Sequence, residues 1–499
     1  MSTATFSRTE SGGLGPGLFS LVAAIVLASA IMAGGFLGLA GLIGAILFGF
    51  FIYYPVFGLY MTVAALILQG SAGVLGAAGS GAVALTVAQL IGAAAMAAWL
   101  INLLIGKLPL ASSRAMVLLL CFVVWALFGT ILSEHFLVLL PNWARLLFRF
   151  ALFVLAVNLL NTPKRVHGYI AVIVVCSLIM SLSAVAQYAL PQLQTSALGG
   201  ISGHDAAYVD QESLQGEAAV RVSGQAGHSN WLAFFILLVI PLALYWLHTT
   251  KDKRIKGLVL ATLGLMLVSL VLTFTRTGLV IGVVLALMLA GRRFVLITPL
   301  RIFTALLGLV LIWVIVLPDA YKERVLSPKQ YTQSRSVQSR MELQETAGRY
   351  FLENPVFGLG PGGFGMDYVY ERSDTATNMY YMVRYSNWNP IFIGTHNWYL
   401  QLLCDYGLMG FIFFMCFFYV MFRNLQTHDE KMRRLGDRQG EQLTTSLLIS
   451  LIAMLLMGVF LHALYQQIWW IIAAAAVAVP LYDIRFAPKA ADGAQPAKA

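Results

Sequence analysis

Apolar stretches of roughly twenty residues, the length that crosses a bilayer as a helix, recur along this 499-residue chain. They fall near 17–34, 36–54, 56–70, 83–105, 115–133, 144–160, 169–190, 230–248, 257–275, 277–291, 300–318, 397–422, 445–464 and 466–483. Hydrocarbon offers the backbone no water to bond to, so such runs fold as packed helices. Composition agrees: 59% of residues are hydrophobic and 11% charged, about half the charge of a soluble chain. These values exclude a soluble enzyme, a disordered chain and a secreted disulfide scaffold. The expected fold is all-α, a polytopic integral membrane protein of about 12–14 transmembrane helices, with two or three spans in the crowded 17–70 stretch. The first run continues into further apolar sequence with no small-residue cleavage site, so it is read as a span and not as a signal peptide. Cys121, Cys176, Cys404 and Cys416 all lie in apolar runs with no CxxC spacing, as small core hydrophobes do.

Loop charges set the orientation. Lys107 and Arg114; Lys164 and Arg165; Lys251, Lys253, Arg254 and Lys256; Arg292, Arg293 and Arg301; and Arg423, Lys431, Arg433, Arg434 and Arg438 form five basic groups, each two spans from the next. They share one face, cytoplasmic by the positive-inside rule. The net charge of +10 thus reports topology, with no stripe for nucleic acid. The expected layout is a cytoplasmic N-terminus over 1–16, a membrane domain over 17–318, a periplasmic cap loop over 319–395, further membrane domain over 396–483, and a cytoplasmic tail over 484–499. Long loops without structure of their own are uncommon and usually functional, so short helices are expected in the cap.

Four segments fall on the outer face. The first runs from Arg221 through His228 to Asn230 and opens a span; the second is the hairpin Thr273-Phe-Thr-Arg276-Thr-Gly278. The third is Arg340 followed by Asn354-Pro-Val-Phe-Gly358-Leu-Gly360; the fourth is Thr395-His396-Asn397-Trp-Tyr-Leu-Gln401, which opens another span and leads to Asp405. Arg276 sits in a tight hairpin against the charge bias, which is costly without a partner. It either snorkels to lipid phosphate or a loop carboxylate, or its fork binds a phosphorylated substrate. Arg221, Arg335 and Arg340 are the residues that could join it. His396 is either a hydrogen-bonded interface residue or the base of a reaction, and His228 is a second candidate. Arg145 and Arg149, one turn apart, face an internal cavity or snorkel. No histidine pair has metal-ligand spacing and Asp210-Gln-Glu212 is a loose acidic pair, so no metal and no cofactor is expected. Gly358 to Gly363 fits GxGxxG, but no strand precedes it and no helix-forming run is expected after it; it reads as a turn passing close to other backbone.

Together the four segments resemble the O-antigen ligase and polymerase superfamily (WaaL-type ligases, Wzy-type polymerases and related protein O-oligosaccharyltransferases) over roughly residues 145–465. The shared pattern is an Arg-x-x-Gly stretch ending in Asn, a Ser/Thr-Arg-Ser/Thr-Gly hairpin, an Asn-Pro-Leu-Phe-Gly-x-Gly cap segment and a His-Asn-x-Tyr-Leu-Gln helix start. The resemblance implies an inverting, metal-independent glycosyltransferase of the inner membrane whose donor is a glycan on undecaprenyl pyrophosphate. It implies that Arg221 and Arg276, with Arg340 beside them, hold the pyrophosphate, and that His396 activates the acceptor hydroxyl. Asn230, Asn397 and His228, in the same segments, are expected as substrate contacts. The acceptor is a second lipid-linked glycan for a polymerase, lipid A–core for a ligase and a protein hydroxyl for an oligosaccharyltransferase. The large cap and additional N-terminal spans weigh toward a polymerase of O-antigen, capsule or exopolysaccharide. The competing class is an anion or solute transporter, which would favour broken helices in repeated halves.

Overall fold

The structure is a computed structural model, described for residues 43–68, 87–190, 222–226, 228–291, 335–372, 393–462, 464 and 466–486. Its described elements are α-helices: α1 Ile43–Tyr53, α2 Pro55–Leu68, α3 Val87–Leu104, α4 Arg114–Leu132, α5 Phe136–Leu159, α6 Pro163–Ala189, α7 Ser229–Thr249, α8 Lys253–Leu272, α9 Arg276–Gly291, α10 Arg335–Glu353, α11 Gly363–Arg372, α12 Trp398–Leu435, α13 Arg438–Gly458 and α14 Gln467–Leu481. A 3-10 turn at Gly224–Ala226 precedes α7. Eight of the helices are long and apolar enough to cross a membrane, and α1, α2, α9 and α14 are shorter apolar helices. The molecule is thus an all-α, polytopic membrane protein. The runs expected near 17–34 and 300–318 lie outside the described residues, as do most of the two expected tails.

Side-chain exposure shows how the bundle meets lipid. On α4, Val117, Leu120, Val124, Phe128 and Ile131 are exposed, while Leu119, Phe122, Val123 and Ala126 are buried. That is one apolar stripe outward and another inward at helical spacing. The core forms around α7 and α13, the most enclosed of the long helices. Pro241 lies inside α7, and a proline there leaves carbonyls of the preceding turn short of donors. Serines of α13 brace this point from across the bundle: Ser450 Oγ donates to Leu238 O at 2.7 Å and Ser446 Oγ to Pro241 O at 3.0 Å.

Several expected boundaries move. α5 begins at Phe136 and carries Pro141 within it, where the apolar run is expected from 144. α12 continues to Leu435, well past the apolar stretch ending near 422, because Arg433 pairs with Asp429 one turn back at 3.0 Å and keeps the polar end helical. α13 ends at Gly458, short of the expected boundary near 464. There the helix backbone presses against Trp398, whose ring would lie 2.8 Å from a Cβ on Gly458.

The described part of the cap is α10, the segment 354–362 and α11. Leu343, Ala347 and Tyr350, spaced i, i+4, i+7 on α10, are buried together with Phe364 of α11 and Cys404 of α12. The glycine-rich segment is built into α12. Leu359 N donates to Cys404 O at 3.0 Å, Gly360 N to Asp405 O at 2.8 Å, and Leu408 N to Pro355 O at 2.8 Å. α12 breaks at Gly407, φ 65°, where a Cβ would collide with the carbonyl of Val356. Opposite it, Gly358 at φ 69° brings its Cα so close that a Cβ would meet α12 backbone at 2.5 Å. The two glycines let two backbones touch where neither could carry a side chain. The close-passing turn expected of this segment is therefore present. The expectation that no helix follows it is corrected: α11 starts at Gly363. Its N-terminal amides are met by a residue distant in sequence, since Asp405 accepts from Phe364 N at 2.9 Å and Gly362 N at 3.3 Å.

The serine contacts to α7 generate a measurable expectation. Ser450→Ala removes the interhelical bond to the Leu238 carbonyl in the bundle core, and unfolding in detergent should show a loss of about 1 kcal/mol, within the range of interhelical hydrogen bonds in membranes. Thr427→Ala removes only an exposed bond to Arg423 O within α12 and should leave the same transition unmoved.

Candidate functional site

The four chemistry-bearing segments meet at one end of the bundle, the end away from the basic starts of α4, α6 and α8. His396 lies in the short stretch between the cap and α12, with its backbone at φ 52°, a left-handed conformation that costs a non-glycine residue about 1–3 kcal/mol. Its neighbours hold it there. Thr395 N donates to Gln401 Oε1 at 2.9 Å, Thr395 Oγ1 donates to Asn397 O at 2.6 Å, and Asn397 N donates to Thr395 Oγ1 at 3.1 Å. Asn397 Oδ1 caps α12, accepting from Tyr399 N at 3.0 Å and Leu400 N at 3.1 Å. Gln401 Nε2 donates to Asp405 Oδ2 at 2.7 Å, so the chain of bonds runs from the cap through Asp405 and Gln401 to the His396 turn.

The imidazole of His396 packs edge-on against His462, ring centres 5.2 Å apart. His462 in turn meets Trp231 at 6.2 Å, and Trp231 meets His228 at 5.8 Å. Gly394 makes room for this row, since a Cβ there would collide with the His462 ring. Burial first, and then the positive potential of His462, Arg340 and His228, holds His396 well below the ordinary histidine range. It is therefore a neutral ring at pH 7, and its Nδ1 is buried with no hydrogen-bond partner among the described residues.

The second histidine and the first asparagine have structural duties as well. His228 Nδ1 accepts from Asn230 N at 3.1 Å and caps α7, which leaves Nε2 as its other polar atom. Asn230 is buried and its Oδ1 accepts from Thr275 Oγ1 at 3.2 Å. That bond ties the start of α7 to the hairpin between α8 and α9. Within the hairpin Phe274 adopts φ 50°, and Thr275 N donates to Thr273 Oγ1 at 3.3 Å. Arg276 is then the first residue of α9. A cation at a helix N-terminus opposes the helix dipole, while the same amides and guanidinium together suit an anion.

Arg340 lies on α10, close enough for its charge to act on His396. Arg221, Asp210 and Glu212 fall outside the described residues, and of Arg335 only the backbone is described. The residue after Arg221 does reach the site: Val222 N donates to Leu272 O at the hairpin, 3.3 Å, and Ser223 N and Gly224 N both donate to Gln187 Oε1 at 2.9 Å. The structure thus brings together His396, Arg340 and His228, and joins Asn230 to the Arg276 hairpin. The sequence does not single out His462, which falls inside an expected span; its one signal is its place near the outer end of two spans, as for Arg276. Among the described residues no group of three or more His, Cys, Asp or Glu could hold a metal ion.

A lateral latch holds the cap. His135, in the turn between α4 and α5, meets Asp367 of α11 at 3.1 Å. The hydrogen bond to Asp367, opposed by burial and helped by the charges of Asp367 and Glu134, raises the histidine above its ordinary value. A raised folded-state value means that the contact stabilises fully below about pH 6.5 and fades as pH rises through the raised value. Amide exchange in α11 should therefore quicken as pH rises above about 6.5, beyond the intrinsic base catalysis of exchange, and His135→Gln should remove that excess. An equal excess in the variant would show that the latch does not hold the helix.

Residues 261–415 match the protein-family model described as O-Antigen ligase. The match spans most of α8, the Arg276 hairpin, Arg340, the glycine-rich segment, His396 and Asp405. A search of curated proteins finds no match.

Proposed function

We propose, from the match of residues 261–415 to the O-antigen ligase family model, that this chain transfers a glycan from a polyprenyl-pyrophosphate carrier to an acceptor hydroxyl at the periplasmic face of the bacterial inner membrane. The observation that carries this reading is the convergence of a buried, neutral His396 with Arg340, His228 and His462, beside the hairpin that bears Arg276. Lys107, Lys164, Lys251 and Lys253 belong to the opposite end of the bundle, which by the positive-inside rule faces the cytoplasm. The histidine end then faces the periplasm.

In this reading the guanidiniums of Arg276 and Arg340, with Arg221, hold the pyrophosphate and take up the charge that grows as the glycosidic C–O bond breaks. The acceptor oxygen attacks the anomeric carbon from the face opposite the pyrophosphate, so the configuration inverts. Its proton passes to His396, and polyprenyl pyrophosphate departs as the anion. No divalent cation is needed when paired guanidiniums neutralise the leaving group. The low basicity of His396 fits the scheme, because a pyrophosphate dianion alongside would raise its pKa toward the useful range. A polymerase, a ligase and a protein oligosaccharyltransferase share this chemistry and differ in the acceptor; the extended cap favours a polymerase.

Glycan transfer by the purified protein separates the roles. Arg276→Lys keeps the charge but loses the fork and should cost about 2–4 kcal/mol in kcat/KM. His396→Ala should leave donor binding within about twofold while slowing transfer roughly a hundredfold or more. EDTA should change neither. Near wild-type transfer by both variants, or activity restored by magnesium after chelation, would contradict the proposal.

A further inference from the structure

A second set of cations lies away from the histidine row, inside the bundle. Arg145 and Arg149 of α5 line a cavity of about 70 Å³ bounded also by α2, α3, α6 and α14, room for several waters where about 10–15 Å³ admits one. At 1.5 Å per residue they stand about 14 and about 20 Å along α5 from Phe136, near mid-membrane. Gln89 and Gln467 add polar groups, Leu152 and Trp470 apolar wall, and no acidic side chain lines the cavity among the described residues. Arg145 is aimed by Asn142, whose Oδ1 accepts from Arg145 Nη1 at 3.0 Å while its Nδ2 donates to Pro361 O of the cap at 3.1 Å. Two guanidiniums one helical turn apart repel each other at low dielectric, and ionisable groups at this depth usually mark a ligand path. An anion in the cavity would meet both guanidiniums and relieve that repulsion.

We propose that this cavity binds a phosphate-class anion at mid-bundle, separately from the Arg276–His396 site. A planar guanidinium pair suits phosphate oxygens, and the mixed wall suits a phosphate carried on a lipid chain better than a free one. The segment after α13 separates the two places: His462 on it joins the histidine row, and Gln467 just beyond it lines the cavity. This site stands apart from the transfer reading, since the cavity alone defines it.

The test uses the full-length protein in nanodiscs carrying Arg276→Gln, which disables the outer site. Undecaprenyl monophosphate, dioleoyl phosphatidylglycerol and inorganic phosphate are the probes, with binding followed by native mass spectrometry and thermal shift. Expected is one retained undecaprenyl monophosphate, weakened at least about tenfold by Arg145→Gln with Arg149→Gln and largely kept by the double lysine variant. Displacement by inorganic phosphate at equal concentration would uphold the anion site and assign it to a soluble anion; preference for phosphatidylglycerol would assign it to a bilayer lipid. Binding of all three probes unchanged by the glutamine pair, or by each single glutamine variant should the pair not fold, would overturn the proposal.

Discussion

One buried carboxylate organises the end of the bundle that carries the chemistry. Asp405 is fully enclosed, and a charge so placed is tolerable only when its oxygens are met. They accept from Phe364 N, Gly362 N and Gln401 Nε2, and the N-terminal dipole of α11 adds to them. The same residue's backbone carbonyl receives Gly360 N. Removing the carboxylate would strand donors in the cap and release Gln401, whose other end holds the turn before α12. The left-handed backbone of His396 depends on that turn, so the placement of the imidazole is linked to the docking of the cap. The break at Gly407 serves the same joint, since it opens α12 where the cap backbone enters.

Around this joint the bundle solves the ordinary problems of a membrane protein in ways that leave the site intact. Polar groups inside the bundle are returned to carbonyls of neighbouring helices, as with Ser450 on Leu238, Ser269 on Ser181 and Tyr169 on Ile471. Asn230 and Thr275 bond to each other at the site's edge. The helix ends that meet there are capped by His228 and Asn397. Cap and candidate ligand are the same residue at both positions, so a variant at either changes the start of a helix as well as any contact with substrate.

Much of this was legible in the sequence. The apolar runs give α2 to α9 and α12 to α14 within a few residues at most ends, because bilayer thickness fixes their length, whereas the polar helices α10 and α11 of the cap carry no such run. The segments bearing Arg276 and His396 stand out because charged and titratable groups at span ends are costly, whereas Arg340, inside the cap, stands out only by its place before the Asn354–Gly360 motif. What was not legible depends on distant partners. The start of α11 is set by Asp405, which lies far along the chain on α12. The polar half of α12 stays helical through ion pairs such as Arg433 with Asp429. His462 carries no motif, and only the packing of its ring on His396 reveals it. Arg145 and Arg149 show their spacing in the sequence, but the cavity they line is formed by helices from both ends of the chain.

If the neutral histidine and the arginines around it form the place where a lipid-borne pyrophosphate is held and its glycan transferred, a ligand complex should show it. A cryo-electron microscopy structure of the protein with a non-hydrolysable polyprenyl-pyrophosphate analogue is the most direct measurement. The predicted result is pyrophosphate density against the Arg276 guanidinium, with the anomeric end of the analogue toward His396. Density at the basic end of the bundle, with none beside the histidine row, would contradict it.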